Sequence, residues 1–344
     1  MSHFYAGGLV TLHICDVLDG LAQIESESVN CIVTSPPYWG LRDYGDAGQI
    51  GLEQTFHEFL AKFLAVMAEC KRVLRKDGTM WVNMGDSYAS AWSCSRRSVI
   101  GAGSPDIADR QNRLTPNIRE KSLIGQPWRL AFALMDQGWI LRKDIIWSKP
   151  NPMPESTKDR PTTAHEDIFL FSKSPKYWYD AGAIRTPAKE SSIRRWSQDL
   201  ENQEGSYRQP GKTNGPMKAV GGPDKQRGHS RRHAGFNDRW DAMSRSEQQS
   251  MGANARSVWE IATVPYRGAH FATFPPEIPR RCISAGCPIG GIVLDPFAGS
   301  GTTLAVALAL GRKAIGIDIN TQNLKLLEAR LRASAIPLPL EYID

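Results

Sequence analysis

The stretch that decides the fold is VLDPFAGSGTT (293–303). A short apolar run predicts a strand that ends at Asp295, and a glycine-rich turn leads into a helix predicted to begin near Thr302. Gly299 and Gly301 permit positive φ and let the backbone approach a ligand closely. A turn at the carboxyl end of a strand is where α/β sheets bind ligands, so the stretch predicts an α/β sheet with a ligand site.

An acidic residue one strand further along the chain supports a ligand site at this turn. Asp318 ends the next predicted strand, 19 residues after Gly299. An acid at that distance is suited to hydrogen bonds with ribose hydroxyls. A dinucleotide fingerprint would require Gly or Ala at position 304, where the chain has Leu304, so the pattern disfavours a nicotinamide cofactor.

A second segment, TSPPYW (34–39), follows the predicted buried strand Val29–Thr34. An aromatic amino group is a poor nucleophile because its lone pair is delocalised into the ring, and accepting hydrogen bonds from its two protons frees that lone pair. Ser35 Oγ and the Pro36 carbonyl suit these acceptor roles, and the rigid prolines hold the carbonyl in place. Tyr38 is suited to stack on a base extruded from the duplex. A Pro-Pro turn with an ordinary buried tyrosine is the structural alternative.

The remaining hydrophobic pattern predicts alternating strands and helices, which imply a parallel sheet with helices on both faces. The further predicted strands are 9–14, 79–83, 139–147, 167–171, 292–294 and 314–317. The predicted helices are 56–74, closed by Asp77-Gly78, and 127–138, 275–286, 302–310 and 321–333. A polar stretch without periodicity, 87–123, is predicted to be a long loop.

Composition is that of a soluble globular protein. Of the 344 residues, 41 % are hydrophobic and 23 % charged, which suits one large domain or a core with an inserted module. No run of about 18 apolar residues exists and the first residues lack a secretory pattern, so we expect neither a membrane span nor a secretory signal. The six cysteines form no CxxC pair, so no metal or redox site is expected, and reduced thiols fit the cytoplasm.

One stretch, residues 183–257, carries the whole formal charge excess. It holds 14 Lys or Arg against 8 Asp or Glu, and the net charge of the chain is +6. The stretch is rich in Gly, Ser, Gln, Asn and Arg and low in aliphatic residues, which predicts an inserted, partly flexible module for a polyanionic partner. We therefore divide the chain into 1–182 with the TSPPY segment, the insert 183–257, and 258–344 with the DPFAGSG segment.

Together, the two segments make the chain resemble the β group of bacterial and phage DNA amino-methyltransferases, which methylate N6 of adenine or N4 of cytosine. The resemblance covers nearly all of the chain outside the insert, and it implies S-adenosylmethionine as cofactor and double-stranded DNA as substrate. The catalytic residues that it implies are Ser35, Pro36, Pro37 and Tyr38. The implied cofactor-binding residues are Asp16, Phe274, Asp295, Phe297, Gly299, Ser300, Gly301, Thr302 and Asp318. With the insert as target-recognition region, the predicted DNA contacts are Trp39, Lys149, Arg227, Arg231 and Arg232.

The order of the two segments indicates how the sheet is arranged. The catalytic segment precedes the cofactor segment, as in the β group, whose Rossmann-like methyltransferase sheet is circularly permuted. The resemblance then makes Val29–Thr34 the fourth strand of the common order, 292–294 the first, 314–317 the second and 9–14 the third. His165-Glu166 resembles a position that recurs in the family, and on its own it indicates a structural polar pair rather than a catalytic dyad.

The residues leave the target base open. Serine before the prolines favours N4 of cytosine by the family's usual pattern, yet a serine accepts from either amino group, so adenine and cytosine stay close to even. Methylation of RNA or of a protein glutamine is a second hypothesis, and the order of the segments disfavours it. A non-catalytic DNA-binding protein with a methyltransferase core is a third, disfavoured by the intact Ser35 and Asp318. We further expect a cytoplasmic enzyme encoded by a bacterium or a phage. We also expect it to form a homodimer and to have a cognate restriction endonuclease.

Overall fold

A nine-stranded sheet runs through the part of the chain that the computed structural model describes, residues 2–5, 7–41, 48–89, 118–119, 121–187, 252–263 and 274–333. The strands are β1 (Ser2–Tyr5), β2 (Val10–Ile14), β3 (Val29–Thr34), β4 (Leu74–Met84), β5 (Ile140–Ser148), β6 (His165–Ser172), β7 (Val258–Glu260), β8 (Ile292–Asp295) and β9 (Lys313–Asp318). The α-helices of the same residues are α1 (Val17–Ala22), α2 (Phe56–Val73), α3 (Gln126–Asp136), α4 (Glu277–Gly286), α5 (Thr302–Ala309) and α6 (Asn323–Ala333).

The strand order is β1-β2-β9-β8-β3-β4-β6-β5-β7. Its centre, from β2 to β4, is parallel, whereas β1 pairs antiparallel with β2, and β6 pairs antiparallel with both β4 and β5. The central strands read as nearly continuous apolar runs because helices cover both faces of a parallel sheet. The order β2-β9-β8-β3 is the third, second, first and fourth strand of the common order, so the predicted permuted arrangement is confirmed.

Parallel pairing brings the carboxyl ends of five strands to one edge of the sheet. Ile14 lies opposite Asp318 on the neighbouring strand, and Asp295 lies opposite Gly316. This carboxyl edge is where open α/β sheets bind ligands. The TSPPYW segment and the glycine-rich turn both begin there, because β3 and β8 are neighbours in the sheet although they are far apart in the chain.

Helix α2 shows how the sequence builds the core. The Glu58 amide donates to Thr55 Oγ1 at 3.2 Å, and the Thr55 amide donates to the Glu58 carboxylate at 3.1 Å, so reciprocal capping fixes where the helix begins. Each large apolar side chain that the helix buries contributes roughly 1.5–3 kcal/mol. The buried face consists of Phe56, Phe59, Phe63, Val66, Met67, Cys70 and Val73.

The end of α2 differs from the sequence prediction. Asp77-Gly78 is predicted to close the helix, with the next strand beginning at residue 79. The helix instead ends at Val73, and β4 begins at Leu74 and runs through both residues. A Cβ on Gly78 would lie 2.6 Å from the Leu74 side chain. The glycine therefore marks a close approach within a strand and not the end of a helix.

Three short elements have no clear signal in the sequence. β1 and β7 have four and three residues and lie at the two ends of the strand order, and α1 has six residues behind an Asp16 N-cap. Elements of this length do not show hydrophobic periodicity. The longer predicted helices and strands are confirmed, with boundaries that differ by a few residues.

Internal contacts divide the chain into two compact units, Met1–Ala183 with Arg256–Asp344, and Ile184–Ala255. The limits of the second unit fall within two residues of the predicted insert, 183–257. In the described part of that unit, Thr186 and Ala253 exchange two backbone hydrogen bonds of 2.9 and 2.8 Å. Most of the insert and most of the predicted loop 87–123 lie outside the described residues. Among the helices that are described, none is long and apolar enough to cross a membrane.

Candidate active site

The glycine-rich turn joins the end of β8 to the start of α5. Gly299 and Gly301 adopt φ of +51° and +73°, a conformation that costs other residues roughly 1–2 kcal/mol. A Cβ on Gly301 would also overlap the Leu327 side chain of α6. The Ala298 amide ties the turn to the sheet by donating to the Ile317 carbonyl at 2.9 Å. Backbone conformation and packing therefore explain why Gly301 is a glycine.

Asp318, at the end of β9, holds the glycine-rich turn in shape. Its Oδ2 accepts from the Gly299 amide at 2.7 Å, and its Oδ1 accepts from the Asn320 amide and from Asn323 Nδ2 at 2.8 and 2.9 Å. The structure thus brings the two predicted cofactor residues Gly299 and Asp318 into direct contact.

Asp16 lies at the same edge, directly after β2. The neighbouring Cys15 amide donates to the Asp318 carbonyl at 3.0 Å, which keeps the two strand ends together. Asp16 Oδ1 accepts from the Leu18 amide at 2.8 Å and so caps α1. The predicted pair of acids, Asp16 and Asp318, therefore follows two neighbouring strands.

Asp295 is the buried acid of the site. Thr303 Oγ1 donates to its Oδ2 at 2.7 Å, and the Phe297 amide donates to its Oδ1 at 3.1 Å. Burial raises the pKa of Asp295 to about 6, and the hydrogen bonds offset only part of that rise. A cation bound nearby would favour the ionised carboxylate.

The hydroxyls of Ser300 and Thr302 are engaged within the protein. Arg330 of α6 donates to Thr302 Oγ1 at 2.6 Å and to Ser300 Oγ at 3.2 Å. Both residues are buried. Their side chains therefore brace the turn against α6. Arg330 is a residue of this site that the sequence pattern does not indicate, because its contact depends on how α6 packs.

Two predicted aromatic cofactor contacts keep part of their surface open. The half-buried ring of Phe297 lies nearly parallel to the ring of Phe63, with centroids 6.4 Å apart. Phe274 is half-buried just before α4. Partly open aromatic faces suit a ligand that has apolar parts.

The TSPPYW segment leaves the buried end of β3. Pro36 is buried, and Ser35, Pro37 and Tyr38 are half-buried, so the segment lies at the border between core and solvent. The two prolines restrict its backbone to an extended turn. The Ser35 hydroxyl and the Pro36 carbonyl are therefore held in a narrow range of positions.

Trp39 anchors this segment in the core. Its indole N–H donates to the Glu53 carbonyl at 3.0 Å, and its amide donates to Gln126 Oε1 at 3.2 Å. The ring is only 6 % exposed and packs edge-on against Phe56, with centroids 5.8 Å apart. The contact of Trp39 with DNA stays a prediction, against which this burial counts. The residue anchors the segment that carries Tyr38.

The Tyr38 hydroxyl lies at the centre of a hydrogen-bonded cluster. It donates to Glu166 Oε2 at 2.9 Å and lies 3.4 Å from Ser35 Oγ. Asn83 Nδ2 donates to the same Glu166 oxygen at 2.8 Å and lies 3.2 Å from the Tyr38 oxygen. Lys149 Nζ pairs with Glu166 Oε1 at 2.5 Å. We call these five side chains, contributed by the ends of four strands, the Tyr38 network.

Charge in the Tyr38 network is balanced internally. Burial, reinforced by the charge of Glu166, holds the pKa of Tyr38 well above its usual range, so the hydroxyl stays protonated. Lys149 is predicted from the sequence to contact DNA, but its ammonium pairs with Glu166 and lies 4.5 Å from the centre of the Trp147 ring. The structure therefore places Lys149 in the candidate active site, with its charge already compensated.

Sequence reasoning misses part of this cluster. It does not single out Asn83, and it interprets Glu166 as half of a structural polar pair. Asn83 ends the predicted strand 79–83 and Glu166 directly precedes the predicted strand 167–171, and those positions were the available signal. The other predicted DNA contacts lie outside the described residues, and they are Arg227, Arg231 and Arg232.

Comparison with known proteins identifies relatives along most of the chain. Residues 29–329 match the model of the N6/N4 methyltransferase family, described as DNA methylase. The Type II methyltransferase M.XycI of Xanthomonas campestris pv. cyanopsidis is 41 % identical over 322 residues, 94 % of this chain and 87 % of the relative. M.Cfr9I of Citrobacter freundii is 41 % identical over 94 % and 87 %, and M.SmaI of Serratia marcescens is 38 % identical over 92 % and 88 %.

Solved structures share the fold at lower sequence identity. PvuII DNA methyltransferase (cytosine-N4-specific) superposes with a TM-score of 0.57 at 18 % identity, over 93 % of this chain and 86 % of its own. The putative DNA modification methylase TTHA0409 from Thermus thermophilus, complexed with S-adenosyl-L-methionine, has a TM-score of 0.53 at 21 % identity, over 97 % and 99 %. At these identities the likeness establishes the architecture alone.

Proposed function

The chain belongs to the N6/N4 DNA methylase family, and on this premise we propose that it methylates N4 of a cytosine flipped out of duplex DNA at a specific sequence. As a member of this family, it is a DNA amino-methyltransferase, and S-adenosylmethionine is its methyl donor. The observation that carries the proposal is the position of Ser35, directly before the buried Pro36 at the carboxyl edge of the sheet.

The chemistry at Ser35 follows from the electronic structure of a nucleobase amino group. Its nitrogen becomes a better nucleophile when acceptors bind both of its protons and draw it towards tetrahedral geometry. Ser35 Oγ and the Pro36 carbonyl would be these acceptors, and the ring of Tyr38 would stack on the extruded base. Fixed acceptors need no reorganisation during the reaction, which is the basis of their contribution to rate.

The residues of the glycine-rich turn fit the proposed cofactor. S-adenosylmethionine carries an electrophilic methyl group on a sulfonium, together with a ribose, an adenine and a zwitterionic methionine. Asp318 would accept from the ribose hydroxyls, Asp16 would lie near the adenine, and Asp295 and Phe274 would face the methionine end. A positive group beside Asp295 would relieve the cost of a carboxylate whose pKa burial raises to about 6.

Cofactor titration tests these assignments. Asp318→Ala should weaken cofactor binding roughly 10-fold or more, because hydrogen bonds to a charged group contribute about 1.5–3 kcal/mol. Asp318→Asn is the matched variant, since it keeps the shape and one acceptor oxygen but removes the charge. Cofactor affinity retained in Asp318→Ala would contradict the ribose assignment.

The proposal favours cytosine over adenine because serine stands before the two prolines. In the family this pattern is more typical of N4-cytosine enzymes, whereas Asp or Asn is more common in adenine enzymes. The hydroxyl itself accepts from either amino group, so this choice depends on the family pattern and not on the geometry at Ser35.

The insert, residues 183–257, is proposed to read the recognition sequence. Arg227, Arg231 and Arg232 would neutralise phosphates or contact base edges there. Relatives are named Type II methyltransferases, so a role in restriction and modification with a cognate endonuclease belongs to the proposal. We also propose that the protein forms a homodimer and acts in the cytoplasm of a bacterium or of an infected cell.

Modification-sensitive sequencing of DNA from cells that express the protein identifies base and site together. The expected result is N4-methylcytosine within one short sequence, absent from cells that express Ser35→Ala. N6-methyladenine would overturn the choice of base but not the reaction. Tritium transfer from labelled cofactor to RNA, with none to duplex DNA, would overturn the choice of substrate.

A further inference from the structure

Methyl transfer leaves a proton to be removed from the target nitrogen. When the N–C bond forms and the S–C bond of the donor breaks, the amino nitrogen becomes positively charged until one N–H bond breaks. Ser35 Oγ and the Pro36 carbonyl accept hydrogen bonds, but a neutral hydroxyl and an amide are too weakly basic to keep a proton at neutral pH. The proton therefore requires a stronger base that is connected to Ser35.

The Tyr38 network connects Ser35 to a carboxylate. Ser35 Oγ lies 3.4 Å from the Tyr38 hydroxyl, which donates to Glu166 Oε2 at 2.9 Å. We propose that Glu166 is the terminal acceptor of the proton released by methyl transfer, reached through the hydroxyls of Ser35 and Tyr38. This inference rests on the proposed role of Ser35 as a hydrogen-bond acceptor for the target amino group.

Each hydroxyl in this relay receives one proton and passes one on. The N–H proton moves to Ser35 Oγ, the Ser35 proton moves to the Tyr38 oxygen, and the Tyr38 proton moves to Glu166 Oε2. The methylated amine and both hydroxyls end neutral, and Glu166 ends as a carboxylic acid. Because the pKa of Tyr38 lies well above its usual range, the relay does not leave a tyrosinate behind.

Lys149 and Asn83 hold the acceptor in place. Lys149 Nζ lies 2.5 Å from Oε1 of Glu166, and Asn83 Nδ2 lies 2.8 Å from Oε2. These contacts leave Oε2 of Glu166 facing the Tyr38 hydroxyl, and the Lys149 ammonium pairs with the other carboxylate oxygen. The Lys149 and Glu166 side chains are 18 % and 17 % exposed, so solvent has access to the pair and the proton can leave after each turnover.

Other titratable groups also face this part of the sheet. Lys149 faces Glu166 from the end of β5, and Tyr38 faces it from the segment after β3. The charge of Glu166 is also felt by Asp167, its neighbour on β6. The remaining groups whose charges reach Asp167 are His165, Asp86 and Asp144.

Two substitutions interrupt the relay without removing bulk. Glu166→Gln keeps an oxygen for the Tyr38 hydroxyl but removes the base, and Tyr38→Phe keeps the stacking ring but removes the hydroxyl. In single-turnover methylation at saturating duplex and S-adenosylmethionine, each should slow methyl transfer about 100-fold, within the range of general acid–base catalysis. The double variant should be no slower than either single variant, because both interrupt the same path.

The pH profile separates a relay from a structural role. The wild-type rate should show a pH-dependent limb that requires a carboxylate at position 166, and Glu166→Gln should lack this limb. Glu166→Asp, which keeps the carboxylate, should recover part of the rate. Exposed Glu25→Gln is the control for charge change alone. An unchanged rate and profile in Glu166→Gln, or additive losses in the double variant, would overturn the relay.

Ser35→Ala distinguishes failure of the relay from failure of the proposed function. A slow Ser35→Ala beside a fully active Glu166→Gln would overturn the relay and leave the role of Ser35 intact. A fully active Ser35→Ala would overturn both. If Glu166→Gln fails to fold, the comparison of Tyr38→Phe with Glu166→Asp, each judged by its pH profile, decides the same question.

Discussion

The glycine-rich turn and the Tyr38 network lie at the same edge of the sheet but are built differently. The hydrogen bonds that hold the turn join residues within 295–330, so these partners lie at most three elements further along the chain. The network takes its five side chains from the ends of β3, β4, β5 and β6, between Ser35 and Glu166. A site built from local backbone is visible in sequence, whereas a site built from converging side chains requires the sheet order.

The two regions also respond differently to damage. The turn depends on left-handed glycines, a buried acid and close packing, so changes there should lower stability and cofactor affinity. The Tyr38 network depends on hydrogen bonds between partly exposed groups, so changes there should lower the rate of methyl transfer. Substitutions that alter one property and not the other test this separation.

Ser35→Ala is expected to have the largest effect, on the rate alone. Loss of one positioned hydrogen-bonding group at a reacting centre costs about 10²–10³ in rate, or roughly 2.7–4 kcal/mol. Cofactor affinity should not change, because Ser35 is not part of the turn. Single-turnover assays and cofactor titration measure the two quantities, with Ser28→Ala as a control hydroxyl outside the site. Weaker cofactor binding in Ser35→Ala would show that the regions are coupled.

Gly301→Ala should lower the free energy of unfolding by about 2–4 kcal/mol. Its φ of +73° and the overlap of a Cβ with Leu327 both oppose a side chain. Gly290→Ala is the matched control, with φ of +75° and nothing within 4 Å of its Cβ, and should cost only about 1 kcal/mol. Denaturant unfolding measures both, and equal losses would refute the packing argument.

The buried acid of the turn should make stability depend on pH. The pKa of Asp295 is about 6 in the folded protein and about 3.9 in an unfolded chain. The folded state therefore binds more protons between these values, and the free energy of unfolding should fall as pH rises through them, by roughly 2–3 kcal/mol. Above the folded pKa the loss is complete.

Asp295→Asn isolates this contribution. The difference in free energy of unfolding between wild type and variant should change across the same pH range, and exposed Asp136→Asn should show no such change. S-adenosylmethionine should offset the loss near neutral pH if its positive groups face Asp295. If the difference in free energy of unfolding between wild type and Asp295→Asn did not depend on pH, titration of Asp295 would not contribute to stability.

Trp39→Phe should have the smallest effect. Loss of the indole hydrogen bond to Glu53 costs about 1 kcal/mol of stability, and DNA affinity should not change because the ring is buried. Arg231→Ala in the insert is the contrasting variant. It should weaken DNA binding and reduce the slope of log affinity against log salt by about 1. Weaker DNA binding in Trp39→Phe, with an unchanged salt slope, would support Trp39 as a DNA contact, because a neutral side chain releases no counterion.

Much of the fold could be predicted because its signals are local. The central strands are short apolar runs, and α2 shows helical spacing with a capping residue, so each element is apparent within its own segment. The limits of the method appear where a local signal has two explanations. Asp77-Gly78 is typical of the end of a helix, but a glycine also occurs within a strand where another group comes close to the backbone. The close approach of the Leu74 side chain shows that Gly78 is of the second kind.

In the candidate site, too, the residues that could be predicted are those whose positions depend on local sequence. The positions of Gly299, Asp295 and Asp318 follow from one strand, one turn and the next strand. Trp39 was predicted to face DNA because it follows Tyr38 in a motif, yet sequence adjacency says nothing about which way a side chain points. Arg330 reaches the turn only because α6 packs across it.

The sequence by itself determined the reaction class, because the TSPPYW and DPFAGSG segments each form a turn whose functional groups are close together in the chain. The order of the two segments indicated the permuted sheet. The tertiary structure decided which side chains complete the Tyr38 network. Asn83, Lys149 and Glu166 meet Tyr38 because four strand ends converge there. The physical reason is range: φ preferences and hydrophobic spacing act over a few residues, whereas hydrogen bonds between distant strands form only once strand pairing is fixed.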